Sequence, residues 1–345
     1  MVTESSQGFD EHNAEELLLA ARRRCAPALE AALQELPGPM PLMAGYQLGW
    51  WDSKATRGNF RQGKSIRAAL VFAAAQACGG DAATAVSAAA AVQLLHNFTL
   101  VHDDLIDEDT LRRGRPTVWS VWGKTNAILL GDALHAAAVK LLAEAPWQDS
   151  AILAAVRRLE AAATEACGGQ FEDCAFEAAG DIDAESYLRM AMGKTGALVG
   201  CSCALGALSA GADPAVVDAL DRYGRELGMA FQFTDDLMGI WGDPEITGKP
   251  AGADIARRKR SLPVVAALRS GTPEAVELEQ IYRSDIPLTA AQITKAITLI
   301  AGAGGRSYTA RAAIDRAAIA IRLLPDPANS AAMIALNSLA VNRDH

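Results

Sequence analysis

Alanine-rich segments with helical periodicity fill most of this 345-residue chain, and no convincing run of alternating polar and apolar residues competes with them. Half of the residues are hydrophobic but only 6% are aromatic. Small side chains let helix axes approach closely, so the composition favours packed helices over a sandwich or barrel. The pattern predicts an all-α protein. Helices are expected from Ala14 to about Leu36, ending at Pro37-Gly38-Pro39, and from Gly63-Lys64 to Gly79-Gly80. A third runs from about Asp81 through Val101 into an acidic cluster, and Pro116 suits the first turn of a long helix reaching Leu142. Further helices fit 149–178, 184–210 and 214–240, with shorter ones near 262–270, 273–283, 289–302, 306–323 and 328–340. No linker or repeat marks a boundary. One domain over 14–345 is expected, after a disordered tail over 1–13.

The 41 acidic and 32 basic residues give a net charge of −9, which suits solubility and argues against general nucleic-acid binding. Six cysteines show no CxxC pair and no metal-finger spacing, so free thiols in a reducing cytoplasm are expected. The opening MVTESSQGFDEHNAEE reads as neither a signal nor a transit peptide. The apolar runs are interrupted by Gln, Asp, Arg or Lys, and no membrane span is expected.

Two acidic clusters carry the chemistry. In Asp103-Asp104-Leu-Ile-Asp107, the outer aspartates lie one helical turn apart on one face, about 6 Å along the axis. Like charges so placed repel, and Mg²⁺ shared with substrate phosphates would resolve the conflict. Arg112, Arg113 and Arg115 follow and could reach the same phosphates. The second cluster, Phe231-Gln232-Phe-Thr-Asp235-Asp236, precedes Gly248-Lys249-Pro250, Asp254 and a basic run at 257–260. The competing reading is two unrelated solvated acidic patches. Taken together the clusters favour facing helices that share a Mg²⁺–diphosphate site across one cavity.

These residues resemble the trans-isoprenyl diphosphate synthase (polyprenyl synthetase) family, over about Leu42 to Pro263. The ordered matches are Gly63-Lys64-Ser-Ile-Arg67, His96 with the first aspartate segment, Arg112-Arg113-Gly-Arg-Pro116-Thr117, Gly131-Asp132, Lys194-Thr195-Gly196, Phe231-Gln232, Gly248-Lys249-Pro250 and Lys259-Arg260-Ser-Leu-Pro263. The resemblance implies the isoprenoid synthase fold, antiparallel helices around a deep central cavity, usually as a homodimer. It implies condensation of isopentenyl diphosphate with an allylic diphosphate. By position, Asp103 and Asp107 would hold two Mg²⁺ and Asp235 a third, with Asp104 and Lys194 also in the catalytic set. Arg112, Lys194, Thr195, Gln232, Lys249 and Lys259 would contact the allylic diphosphate, and Lys64, Arg67, His96 and Arg113 would grip isopentenyl diphosphate. Two departures stand out. Gly239 replaces the usual third aspartate of the second motif, with Asp243 a candidate helper, and Gln93 replaces a common glutamate.

Phe98, five residues before Asp103, matches a position where an aromatic stops chain growth in similar enzymes, and Thr99 beside it is small. The pattern resembles geranylgeranyl (C20) diphosphate synthases first and farnesyl (C15) synthases second. Two rival functions compete with this one. A terpene cyclase would need no isopentenyl diphosphate grip, yet Lys64, Arg67 and His96 are present. A non-catalytic partner subunit tends to lose the first aspartate motif, which is intact here.

Overall fold

The computed structural model describes residues 7–58, 60–178, 182–244, 251–284 and 286–341. Its helices are α1 (Gln7–Gln34), α2 (Met40–Leu48), α3 (Ile66–Ala77), α4 (Val86–Ile106), α5 (Val118–Trp122), α6 (Lys124–Ala143), α7 (Asp149–Ala178) and α8 (Ala184–Ala191). They continue as α9 (Ala197–Ser209), α10 (Pro214–Trp241), α11 (Ala253–Ala256), α12 (Leu262–Leu268), α13 (Pro273–Tyr282), α14 (Ala290–Gly302), α15 (Gly305–Arg322) and α16 (Ala331–Ser338). A π turn, Met192–Gly196, joins α8 to α9. Among the described residues the one sheet is a hairpin of β1 (Leu111–Arg112) and β2 (Arg115–Pro116). The all-α class read from the sequence is the class observed.

The chain groups into two compact units. The first is Met1–Ala163 with Cys201–Asp221 and Leu324–Leu336, and the second is Thr164–Gly200 with Arg222–Leu323 and Asn337–His345. In the first unit, α4 packs mainly on α6, with α1 and α3 also against it. Ala88 to Ala91 on α4 are all fully buried, which is how an alanine run becomes a close helix contact. Leu94, Leu130, Leu134 and Leu142 fill the remaining volume, each stabilising by about 2 kcal/mol through burial. In the second unit, α12 packs on α15, α13, α14 and α8. Tyr187, Met190, Met229, Phe233 and Leu262 form one buried cluster there. Met229 and Phe233, both 1% exposed, are therefore core residues.

Local chemistry explains where the helices depart from expectation. α1 begins at Gln7, so residues 7–13 extend the helix instead of forming the expected tail; residues 1–6 lie outside the described set. The single helix expected from Pro116 to Leu142 is divided. Pro116 ends β2, and Gly123 at φ 86° caps both α5 and α6, a backbone angle that glycine adopts without strain. The expected 184–210 helix is interrupted by the π turn. α2 and α11 were not expected.

All six cysteines are free thiols. Two stretches, Lys124–Ala143 and Ala184–Ser209, are long and apolar enough to cross a membrane by length and composition. The second is 72% buried in protein, as a core helix should be, whereas α6 is only 33% buried.

Candidate active site

In the first unit, α4 delivers its aspartates at its C-terminal end. The Asp107 N–H donates to the Asp103 carbonyl at 2.8 Å, so the helical turn between the outer aspartates is intact. Asp103 and Asp107 are half-buried, while Asp104 points inward and is 1% exposed. Arg112 Nε donates to Asp104 Oδ1 at 2.6 Å. Burial pushes the Asp104 carboxyl up to about 6 against the pull of Arg112, and the nearby Asp109 and Asp103 charges add to the rise. The other oxygen, Asp104 Oδ2, is buried without a hydrogen-bond partner.

The hairpin divides the arginines that follow. Arg112 and Arg115 pair across β1 and β2, and the two turn residues, Arg113 (φ 53°) and Gly114 (φ 76°), both take positive φ, as in a type I′ turn. The turn sends the side chains in different directions. Arg112 reaches Asp104, and Arg113 lies against Gly63, where an added Cβ would meet its guanidinium at 2.8 Å. Arg115 is sandwiched between the Tyr46 and Phe60 rings at 4.0 and 4.2 Å and donates to the Tyr46 and Trp51 carbonyls. Arg115 therefore anchors the hairpin instead of reaching for phosphate as the sequence suggested. A small pocket lined by Tyr46, Gln47, Arg61, Arg112, Arg113 and Arg115 makes the surroundings of the hairpin electropositive.

Beside that pocket, Arg67 Nη1 lies 3.0 Å from His96 Nε2. A guanidinium donates, so His96 accepts through Nε2 as the neutral imidazole. Burial, together with the charges of Arg67, Arg113 and Arg112, holds its pKa well below the ordinary value. Burial beside Arg112 likewise lowers Arg113 to about 10. Ser65, at φ 59°, opens α3 and accepts from Gln93 Nε2 at 3.1 Å. Gln93 thus ties α4 to the turn between exposed Lys64 and half-buried Arg67. Phe98 is buried, and the Thr99 hydroxyl donates to the His96 carbonyl at 2.8 Å.

The second unit repeats the pattern with different partners. Asp235 on α10 is exposed and Asp236 is buried. Asp236 accepts from the Tyr187 hydroxyl at 2.5 Å, the Leu262 N–H at 2.7 Å and Gln232 Nε2 at 2.9 Å. Burial pushes its carboxyl up to about 6 despite these three bonds. The Thr195 hydroxyl donates to Gln232 Oε1 at 2.6 Å, so Thr195, Gln232 and Asp236 form one continuous chain of hydrogen bonds. Lys194 donates to Asp173 Oδ2 at 2.5 Å, and Lys259 stands 3.5 Å from the same oxygen. Burial works to raise the Asp173 pKa, but the two lysines outweigh it and hold the carboxyl below its usual range.

Asp173 was missed in the sequence. A signal was present in the Gly168-Gly169 pair inside α7, where each glycine costs about 1 kcal/mol relative to alanine. Gly169 makes room for the π turn: an added Cβ would fall on the Lys194 backbone nitrogen and 2.7 Å from the Met190 carbonyl. Gly239 has a similar neighbour, since an added Cβ there would fall on the Asp254 carboxylate. The carboxylate beside position 239 therefore comes from α11, and Asp243 is exposed. Lys249 lies outside the described residues.

Comparison with known proteins identifies the family of the chain. The Polyprenyl synthetase family model matches residues 51–300. The chain is 52% identical over 328 residues to the geranylgeranyl diphosphate synthase of Mycobacterium tuberculosis, covering 95% of this chain and 93% of that protein. It is 45% identical over 251 residues to the (2E,6E)-farnesyl diphosphate synthase of Mycobacterium bovis, covering 73% and 69%. Among solved structures, the polyprenyl synthetase of Streptomyces coelicolor superposes with a TM-score of 0.89 at 39% identity, covering 94% of this chain and 99% of that one. The chain belongs to the polyprenyl synthetase family, the trans-isoprenyl diphosphate synthases, and is a prenyltransferase.

Proposed function

We propose that this enzyme condenses isopentenyl diphosphate with an allylic diphosphate and releases chiefly geranylgeranyl diphosphate, with farnesyl diphosphate the next candidate product. The observation that carries the reading is Arg67 bonded to neutral His96 with Arg113 beside Gly63, which we read as the grip for the second substrate. A cyclase working on one allylic substrate has no use for it.

Asp103 and Asp107 are proposed as ligands of two Mg²⁺ ions, and Asp235 as a ligand of a third. Among the described residues no group of three His, Cys, Asp or Glu side chains is gathered for a metal. Two half-buried carboxylates one turn apart fit a cation that takes its remaining ligands from substrate phosphates. When bound, Mg²⁺ neutralises charge on the departing diphosphate. The protein's own groups do the rest. Lys194, Lys259, Gln232, Thr195 and Arg112, with Lys249, hold the allylic diphosphate and stabilise its charge as the carbon–oxygen bond breaks. Lys64, Arg67, His96 and Arg113 orient isopentenyl diphosphate so that its double bond attacks the allylic carbon. The released diphosphate takes the final proton.

The single all-α domain over 14–345 also remains a proposal, supported by unit boundaries that fall inside the continuous helices α7, α9 and α10. A homodimer is supported by α6, an apolar helix that leaves Ile128 and Leu129 exposed. The cytoplasmic setting is supported by the six free thiols.

The test is elongation by the purified chain with Mg²⁺, isopentenyl diphosphate and C5, C10 or C15 allylic diphosphate, with products resolved by length. A C20 product is expected. No elongation from any primer contradicts the proposal, and a hydrocarbon or alcohol from the allylic substrate alone favours a cyclase.

A further inference from the structure

Phe98 does not stand alone. Its ring lies nearly parallel to that of His135 on α6, with centroids 5.2 Å apart and planes at 22°. The His102 ring meets it edge-on at 4.9 Å. His102 fits because Gly131 leaves a notch: a Cβ on Gly131 would fall on the imidazole. His102 Nε2 also lies 3.1 Å from the Ile128 carbonyl. Phe98 and His102 are four residues apart on α4, and Gly131 and His135 are four apart on α6, so each pair lies along one helix face. The aromatic ring of one helix meets a buttress, and the imidazole one turn on meets a notch. His135 is itself held, because its Nε2 lies 2.8 Å from Glu160 Oε1 on α7.

We propose that His135, fixed by Glu160, is a determinant of product length that acts by pinning the Phe98 ring. This rests on the reading above that Phe98 ends chain growth. A phenyl ring on a helix has few staggered alternatives, and the one it keeps is set by what packs on its face. With the His135 face present, a growing prenyl chain meets an immobile ring. Without it, the ring gains room on the α6 side, and the stop moves deeper although Phe98 is unchanged.

The experiment compares products from C15 primer and isopentenyl diphosphate for the parent and four variants, read as the fraction longer than C20. Phe98→Ala is expected to lengthen the product. His135→Ala is expected to raise the longer fraction roughly tenfold with Phe98 intact, the scale of a small change in an apolar pocket. His135→Phe keeps an aromatic face and loses the Glu160 contact, so it should stay near the parent. Glu160→Gln should fall between His135→Ala and the parent. Thermal melting checks that each variant is folded; His135→Leu, which keeps bulk without an aromatic face, stands in should His135→Ala fail to fold and is expected to lengthen the product too. Unchanged product in folded His135→Ala while Phe98→Ala lengthens would overturn the role of His135 alone. Unchanged product in both would overturn the Phe98 reading, and this proposal with it.

Discussion

The two aspartate motifs solve one problem with different materials. In each, adjacent aspartates divide the work: Asp103 and Asp235 face outward, whereas Asp104 and Asp236 turn inward and are buried. The inward member of the first motif is held by a charge, Arg112, and keeps one oxygen without a partner. The inward member of the second is held by three neutral donors from α8, α10 and the start of α12. A buried ion pair contributes little net stability but is costly to break, whereas a satisfied network of neutral donors fixes several elements at once. The first motif is thus built around charge, and the second around position.

The sharpest way to break this comparison is to exchange outward and inward members. Asp103→Asn should lower turnover about a thousandfold, roughly 4 kcal/mol in the barrier, with little change in melting temperature. Steady-state rates and melting curves measured side by side would show this. Asp236→Asn should do the reverse in emphasis. Its amide would set a donor against groups that are all donors, costing about 2–3 kcal/mol of stability by denaturant titration, with activity falling as the fold loosens.

Gly169→Ala tests whether the second motif depends on close backbone approach. The new methyl meets backbone atoms of the π turn, so a loss of about 2 kcal/mol is expected, together with weaker allylic diphosphate binding through displaced Lys194. Unchanged affinity in a folded variant would detach the glycine from the site. The smallest effect concerns the carboxylate beside Gly239. Asp254→Ala should weaken Mg²⁺ dependence of turnover several-fold, on the order of 1 kcal/mol, while Asp243→Ala should leave it near the parent. Equal effects would mean that neither residue stands in for the missing aspartate.

Much of this molecule was legible in its sequence, for reasons particular residues make plain. α7 was read to its observed ends, and α10 to within one residue, because their apolar spacing is helical and their flanks are polar. The first motif was legible because its partners follow within a few residues. Asp173 was not, because its meaning lies in Lys194 and Lys259, 21 and 86 positions away on other elements. The hairpin was invisible since two residues per strand carry no periodicity. α2 hid behind Pro37-Gly38-Pro39, which reads as a stop although prolines also begin helices. The π turn leaves no local signature beyond its glycines.

The division of labour is tested most directly by counting divalent ions. Mn²⁺ bound per chain in the presence of inorganic diphosphate can be measured by electron paramagnetic resonance for the parent, Asp103→Asn and Asp104→Asn. The account predicts that Asp103→Asn loses bound Mn²⁺ while folded Asp104→Asn retains the parent number. Loss of ions in Asp104→Asn with retention in Asp103→Asn would contradict it.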